Sequence, residues 1–327
     1  MLVVLEHLLM PLLTRSGASV TSWVNPGRMG VIIFFAVSGF VIPLSIRKST
    51  GWKDFLLGRF FRLYPAYWMS LFAHFILWKL GSGSVSLQDA DSAISWIVNL
   101  SMLQMFFGFK NINLVAWTLG LEWVIYVAAL VMILIRSQFN ATRFLWTATI
   151  SLLTLSVLVP LVMHKRIPVA APQCLIAALF GYAVLLAFDN LLSKSAWTLY
   201  AWFNIIFQML AATVNYKLFP KAAAEIPFVA IVFSVLLAYA GFLALYRYRS
   251  FKFPEFLVWV GKISYSVYLF HGLVIYFCVR AIPGIGGIIL SIGLTILLSA
   301  LLYSVIEVPF QRIGSRLRKK VTPPISG

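Results

Sequence analysis

The sequence predicts an all-α fold, a polytopic integral membrane helix bundle of about ten transmembrane helices, and three observations carry that prediction. Of 327 residues, 61% are apolar and only 11% charged, with a mean hydropathy of +0.94, against roughly 25% charged residues in a soluble globular chain. Apolar stretches that meet the roughly 20-residue requirement of a bilayer-spanning helix recur along the chain. The short segments between them collect arginine, lysine, glycine and proline.

The first span, near residues 1 to 13, covers only about 20 Å at 1.5 Å per residue, less than the roughly 30 Å hydrocarbon core. Either this helix enters part-way, or the chain is truncated at its N-terminus. The second span, 29 to 46, ends at the basic pair Arg47-Lys48, and the third, 60 to 79, follows Arg59. The polar stretch Gly81 to Asp91 is a loop. Spans then follow at 115 to 135, 144 to 163, 173 to 188, 197 to 214, 226 to 246, 259 to 279 and 285 to 306. No cleavable signal peptide, internal repeat or appended soluble domain is read, so residues 1–327 form a single membrane domain.

A net charge of +17 would suggest nucleic acid in a soluble protein, but its placement points to a membrane surface. With the N-terminus cytoplasmic, ten spans put 17 of the 26 basic residues on the inner side. Arg47, Lys48, Lys53, Arg59 and Arg62 fall there, as does the tail Arg312, Arg316, Arg318, Lys319 and Lys320. Both termini are therefore expected in the cytoplasm, and the tail reads as an orientation signal attracted to anionic lipid. Cys174 and Cys278 fall within spans, without metal-ligand spacing, and read as packing residues. No metal site is predicted.

Ionisable groups within spans are expensive and usually face a cavity or a partner. Here they are Glu6, His7, His74, Glu122, His271 and Glu307, with Arg59 and Arg62 at a helix mouth. Counting 1.5 Å per residue from each entry point puts His7 and Glu122 in the outer half. Ser38 and His271 come near mid-membrane, and Arg59, Arg62 and Glu307 near the cytoplasmic face. Ser264, Tyr268 and His271 share one helix face, a stripe that suits either a substrate cavity or an interhelical hydrogen-bond network. Glu307 is expected to pair with inner-face arginines. Tyr67 and Trp68 suit an interfacial aromatic anchor, Ser38-Gly39 close helix packing, and His74 and His164 structural roles.

Six segments in order resemble the acyltransferase-3 family, the membrane acyltransferases typified by O-antigen acetylases. They run Val3 to His7, Gly30 to Phe40, Arg59 to Trp68, Trp117 to Glu122, Gly261 to His271 and Ile306 to Phe310. The resemblance implies an acyl-coenzyme A co-substrate, with acetyl the commonest group and no permanently bound cofactor. It also implies a carbohydrate or lipid-linked glycan acceptor and a bacterial inner membrane. The Arg-x-x-Arg pair, Arg59 and Arg62, would hold the donor's phosphates, as guanidinium groups do through charge-assisted bonds. The family's first motif places a basic residue before its His with ten residues between. His7 matches the His, and the basic partner would fall before Met1.

The resulting expectation is that His7 takes the proton of the acceptor hydroxyl, a task suited to a group with an ordinary pKa near 6.5. Glu6 lies about 100° around the helix from His7, leaving Glu122 to orient the base or bind the sugar. Ser38, Tyr67, Tyr268 and His271 would line the donor channel or stabilise an oxyanion, and an acyl-enzyme through Ser38 is the weaker route. The competing readings are a flippase or transporter of a lipid-linked saccharide, and a family member without activity. A transporter would show repeats or matching broken helices in its two halves, and neither is present.

Overall fold

The structure is a computed structural model that describes residues 1–15, 23–80, 92–135, 140–219 and 226–321. The loop Gly81 to Asp91, Arg136 and the side chain of Lys320 lie outside what it describes. The described residues are helical, without strands. Twelve helices follow in order: α1 Leu2–Arg15, α2 Pro26–Arg47, α3 Trp52–Lys79, α4 Ala93–Leu100, α5 Trp117–Leu134, α6 Ala141–Met163, α7 Ala170–Phe188, α8 Lys194–Thr213, α9 Phe228–Arg247, α10 Glu255–Ala281, α11 Ile285–Leu302 and α12 Val308–Val321. Single π-helical turns, Val214–Leu218 and Tyr303–Glu307, extend α8 and join α11 to α12.

Local chemistry sets several boundaries. Asn25, Asn140 and Ser193 each place a side-chain oxygen on a backbone N–H three residues on, at 2.7, 2.8 and 3.2 Å, satisfying one of the donors that a helix start leaves unpaired. Pro26 follows Asn25 at the first helical position, where its missing N–H costs nothing. His164 ends α6 in the left-handed region at φ 46°, and its structural reading fits that stop.

Among the described residues eight helices are long and apolar enough to cross a membrane. The two expected spans outside that set are α1, only 14 residues long, and α3, which has the length at 28 residues but carries many polar side chains.

The helices gather into two compact units interleaved along the chain. One comprises Lys48–Val124 and Lys252–Gly327 together with Met1, the other Leu2–Arg47 and Ile125–Phe251. In the second unit α2 and α7 run parallel. Arg28 in the first turn of α2 meets Gln173 in the first turn of α7, and at their far ends Arg47 meets Asp189. Midway the backbones touch. A Cβ on Gly39 would lie 1.8 Å from the Ala178 carbonyl oxygen, and one on Gly181 1.8 Å from that of Ala36. Small residues permit such close approach between membrane helices, which is the role read for the Ser38-Gly39 pair.

Candidate active site

In the first unit α12 lies along the beginning of α3. Gly314 packs on Phe61, where a Cβ would come within 2.6 Å of the phenylalanine Cβ, and Arg318 lies against Gly58. Arg318 donates to buried Asp54 through Nε at 2.5 Å and Nη2 at 3.2 Å. These contacts gather basic charge at one end of this unit. Arg59 is half-buried, its guanidinium carbon 5.4 Å from the centre of the Phe55 ring, and Arg62 one turn on is exposed. The tail read as an orientation signal is thus docked on the Arg-x-x-Arg helix. Glu307, on a π turn, was expected to pair with arginine. Instead it accepts from the Ser266 hydroxyl, 2.5 Å away, with Arg62 in electrostatic reach.

Further along α3 the motif aromatics have a different task. The last carbonyls of a helix lack intrahelical donors. Tyr64, Tyr67 and Trp68 supply donors at the end of α4, to the oxygens of Ser101, Asn99 and Leu100 at 2.9, 2.8 and 3.0 Å. Tyr67 is fully buried, so it is no interfacial anchor, and its hydroxyl proton is committed to Asn99.

Tyr268 and His271 enter a buried network with the segment leading into α5. The Tyr268 hydroxyl lies 2.8 Å from Thr118 Oγ1 and donates to the Val115 oxygen at 3.0 Å. His271 is fully buried, with Nδ1 2.8 Å from the Tyr268 carbonyl. A carbonyl only accepts, so Nδ1 carries a proton and donates it there. Asn113 joins the network through Ser70 Oγ and the Leu269 oxygen at 3.2 and 3.0 Å. Glu122, one turn beyond Thr118, is buried at 7% exposure. Ser264 departs from the predicted stripe, being exposed with its hydroxyl on the Gly261 oxygen. His74 is buried and donates from Nδ1 to the Ser70 carbonyl, 2.7 Å away, in keeping with a structural role.

The second unit holds His7 and Ser38. Helix α1 packs antiparallel on α2, with Glu6 against Gly27 and Leu2 and Val3 against Gly30. Glu6 turns its carboxylate to Asn25 Nδ2 and to the positive end of the α2 dipole. Only a glycine at position 27 admits it there, since a Cβ would lie 1.5 Å from Glu6 Oε2. His7 is exposed and Ser38 buried. Ser38 lies eleven residues beyond Gly27 along α2, roughly 16 Å, so the two side chains stand at different depths of this unit. Among the described residues no group of three or more His, Cys, Asp or Glu side chains is arranged to hold a metal ion.

The acyltransferase domain family matches residues 1–304, from the His7 segment through the last span. The chain belongs to the acyltransferase-3 family. A relative in Bacillus subtilis (strain 168) bears the name "Putative peptidoglycan O-acetyltransferase YrhL". It is 26% identical over 342 aligned positions, which cover 90% of this chain and 52% of that protein. The chain thus spans about half the length of that curated relative. No solved structure matches it.

Four features of this acyltransferase domain escape a reading of sequence alone. Asp54 looks like an ordinary charge at a helix start, and Gly27 like a loop glycine. Asn113 lies outside every quoted motif, and Arg28 and Gln173 are 145 positions apart. A polar side chain in an apolar stretch was a usable signal for Asn113 and Gln173. Nothing local marks the other three.

Proposed function

We propose that this domain moves an acyl group, acetyl being the expected one, from cytoplasmic acyl-coenzyme A to a hydroxyl of a cell-surface or lipid-linked carbohydrate. The observation that carries the reading is the basic end of the first unit, where docked α12 adds its guanidinium groups to Arg59 and Arg62. A coenzyme A molecule carries several phosphate charges, and exposed or half-buried arginines at a helix mouth bind phosphate with charge-assisted hydrogen bonds. The name of the Bacillus relative supports an O-acetyl product and a cell-wall glycan as acceptor.

In the proposed step His7 takes the proton of the acceptor hydroxyl as that oxygen attacks the thioester carbonyl. The new C–O bond forms, the C–S bond breaks, and the departing coenzyme A thiolate receives the proton held on the imidazole. Glu122 holds the sugar. Tyr67, Tyr268 and His271 act by keeping α3, α4 and α10 in register around the donor's path. Positioning of this kind supplies much of the rate in a transfer between two bound substrates.

The test uses the protein in lipid nanodiscs with labelled acetyl-coenzyme A and a membrane glycan extract. Transfer of label to glycan, abolished by His7→Ala and needing far more donor after Arg59→Ala/Arg62→Ala, is the expected result. An N-terminally extended chain that neither transfers label nor binds coenzyme A would overturn the proposal.

A further inference from the structure

At the end of the second unit where α2 and α7 begin, four side chains from four segments converge without a role in the transfer step. Arg28 donates from Nη1 to Gln173 Oε1 at 2.5 Å and from Nη2 to the Tyr216 hydroxyl oxygen at 3.1 Å. The Arg166 guanidinium lies 3.8 Å from the centre of the Tyr216 ring. Tyr216 belongs to the π turn after α8, and such turns recur at functional sites. Its neighbour Asn215 holds the scaffold together. Asn215 accepts from Ile167 N at 3.2 Å and donates to the Ser156 and Ala211 oxygens at 2.9 Å each.

We infer that Arg28, Arg166, Gln173 and Tyr216 form a carboxylate-binding subsite for an acidic glycan, the acceptor class of the proposed transfer reaction. The inference rests on that reading for the ligand's identity, while the donors themselves argue for an oxyanion. Arg28 uses the acceptor atoms of both neutral partners, so each keeps a proton for something else: Tyr216 its O–H, Gln173 its amide Nε2. Gln173 is only 4% exposed, and among the described residues its buried Nε2 has no hydrogen-bond partner. A buried amide donor left unpaired is costly and uncommon, and a ligand oxygen removes the cost.

Charge points the same way. Among the described residues the partners of the Arg28 guanidinium are neutral, and the carboxylate of Glu6 is turned to Asn25. Arg28 and Gln173 both stand in the first turns of their helices, so two positive dipole ends add to the guanidinium charge. A carboxylate offers one oxygen to each neutral donor and its charge to the arginines. Arg28, Arg166 and Tyr216 are only half-buried, which leaves the cluster open to a ligand from the aqueous side.

A merely structural latch is separated from a binding site by Gln173→Glu. This change keeps the oxygen that Arg28 requires, replaces the donor with a second oxygen, and strengthens the latch. Binding of uronic-acid oligosaccharides and of neutral ones of equal length is measured by calorimetry on the protein in phosphatidylcholine nanodiscs, and repeated with phosphatidylglycerol present. The expected result is at least ten-fold tighter binding of the acidic oligosaccharide. That preference should vanish in Gln173→Glu without a fall in melting temperature, and shrink in Tyr216→Phe. Equal binding of the two sugars, binding of neither, a preference unchanged in Gln173→Glu, or loss of the preference when phosphatidylglycerol competes would overturn the inference. Acetyl transfer is measured on the same samples. Acid preference without transfer keeps the subsite and removes the enzymatic reading, whereas transfer without acid preference does the reverse.

Discussion

The carboxylate of Asp54, in the first turn of α3, is clasped by the guanidinium of Arg318, 264 residues further along the chain. The contact brings the start of α3 and the end of α12 together. It also fixes α12 beside Arg59. The hydrogen bond from Arg318 is the main reason that Asp54 is held below the usual carboxylate range.

Removing Arg318 leaves a buried carboxylate held by Thr50, whose amide lies 3.2 Å away. The Arg318 side chain is 36% exposed, so water screens part of the interaction. We expect Arg318→Ala to destabilise the protein by about 1–2 kcal/mol, read as a lowered midpoint in detergent unfolding. Because the folded carboxyl titrates below its ordinary value of about 3.9, its stabilisation is complete above that pH and lost as pH falls through the lower folded value. The wild-type and Arg318→Ala midpoints should therefore keep a constant difference from pH 7 to pH 5 and converge below about pH 4. A gap that closes between pH 7 and pH 5 would show that another group is responsible.

At the α2–α7 crossing the atoms in the way are backbone carbonyls, which cannot swing aside. Gly39→Ala and Gly181→Ala should each cost roughly 2 kcal/mol or more, the penalty of overpacking a tight contact. The double variant should cost less than the sum, since one methyl already parts the helices and makes room for the other. Additive losses would mean that each glycine acts locally.

Arg59→Ala and Arg62→Ala should each raise the KM for acyl-coenzyme A about ten-fold while leaving kcat within a factor of a few. A charge-assisted contact of roughly 1.4 kcal/mol corresponds to one such factor. Arg318→Ala should raise the same KM more weakly, by loosening α12. A fall in kcat at unchanged KM would move the arginines from donor binding to the chemical step.

Gly27→Ala tests the Glu6 contact. A methyl group there displaces the carboxylate from Asn25 and from the start of α2, on the turn that also carries His7. Glu6 is a flexible side chain, so the stability cost should stay near 1 kcal/mol. Label transfer to glycan should fall by more than that figure implies, and transfer equal to wild type would show that the placement of Glu6 is irrelevant to the reaction.

The bilayer made most of the architecture legible from sequence. A crossing helix must satisfy its own backbone and present apolar side chains over about 30 Å, so hydropathy alone marked eight helices, and basic residues marked their ends. Helix α3, with Arg62, Tyr64, Tyr67 and His74 along it, has the length of a span but falls outside those eight. Motif order marked the family by the same token.

Which helices touch was decided only by the tertiary structure. In lipid every face of a span is apolar, so periodicity does not say which face meets a neighbour, and association depends on small residues and scattered polar contacts between distant segments. Gly39 and Gly181 became a crossing, and Arg28, Gln173 and Tyr216 a cluster, only when helices far apart in sequence were laid side by side. Asp54 shows the same limit. At the surface of an isolated helix it is a charge in water, and only the packing of α12 on α3 makes it the buried partner of Arg318.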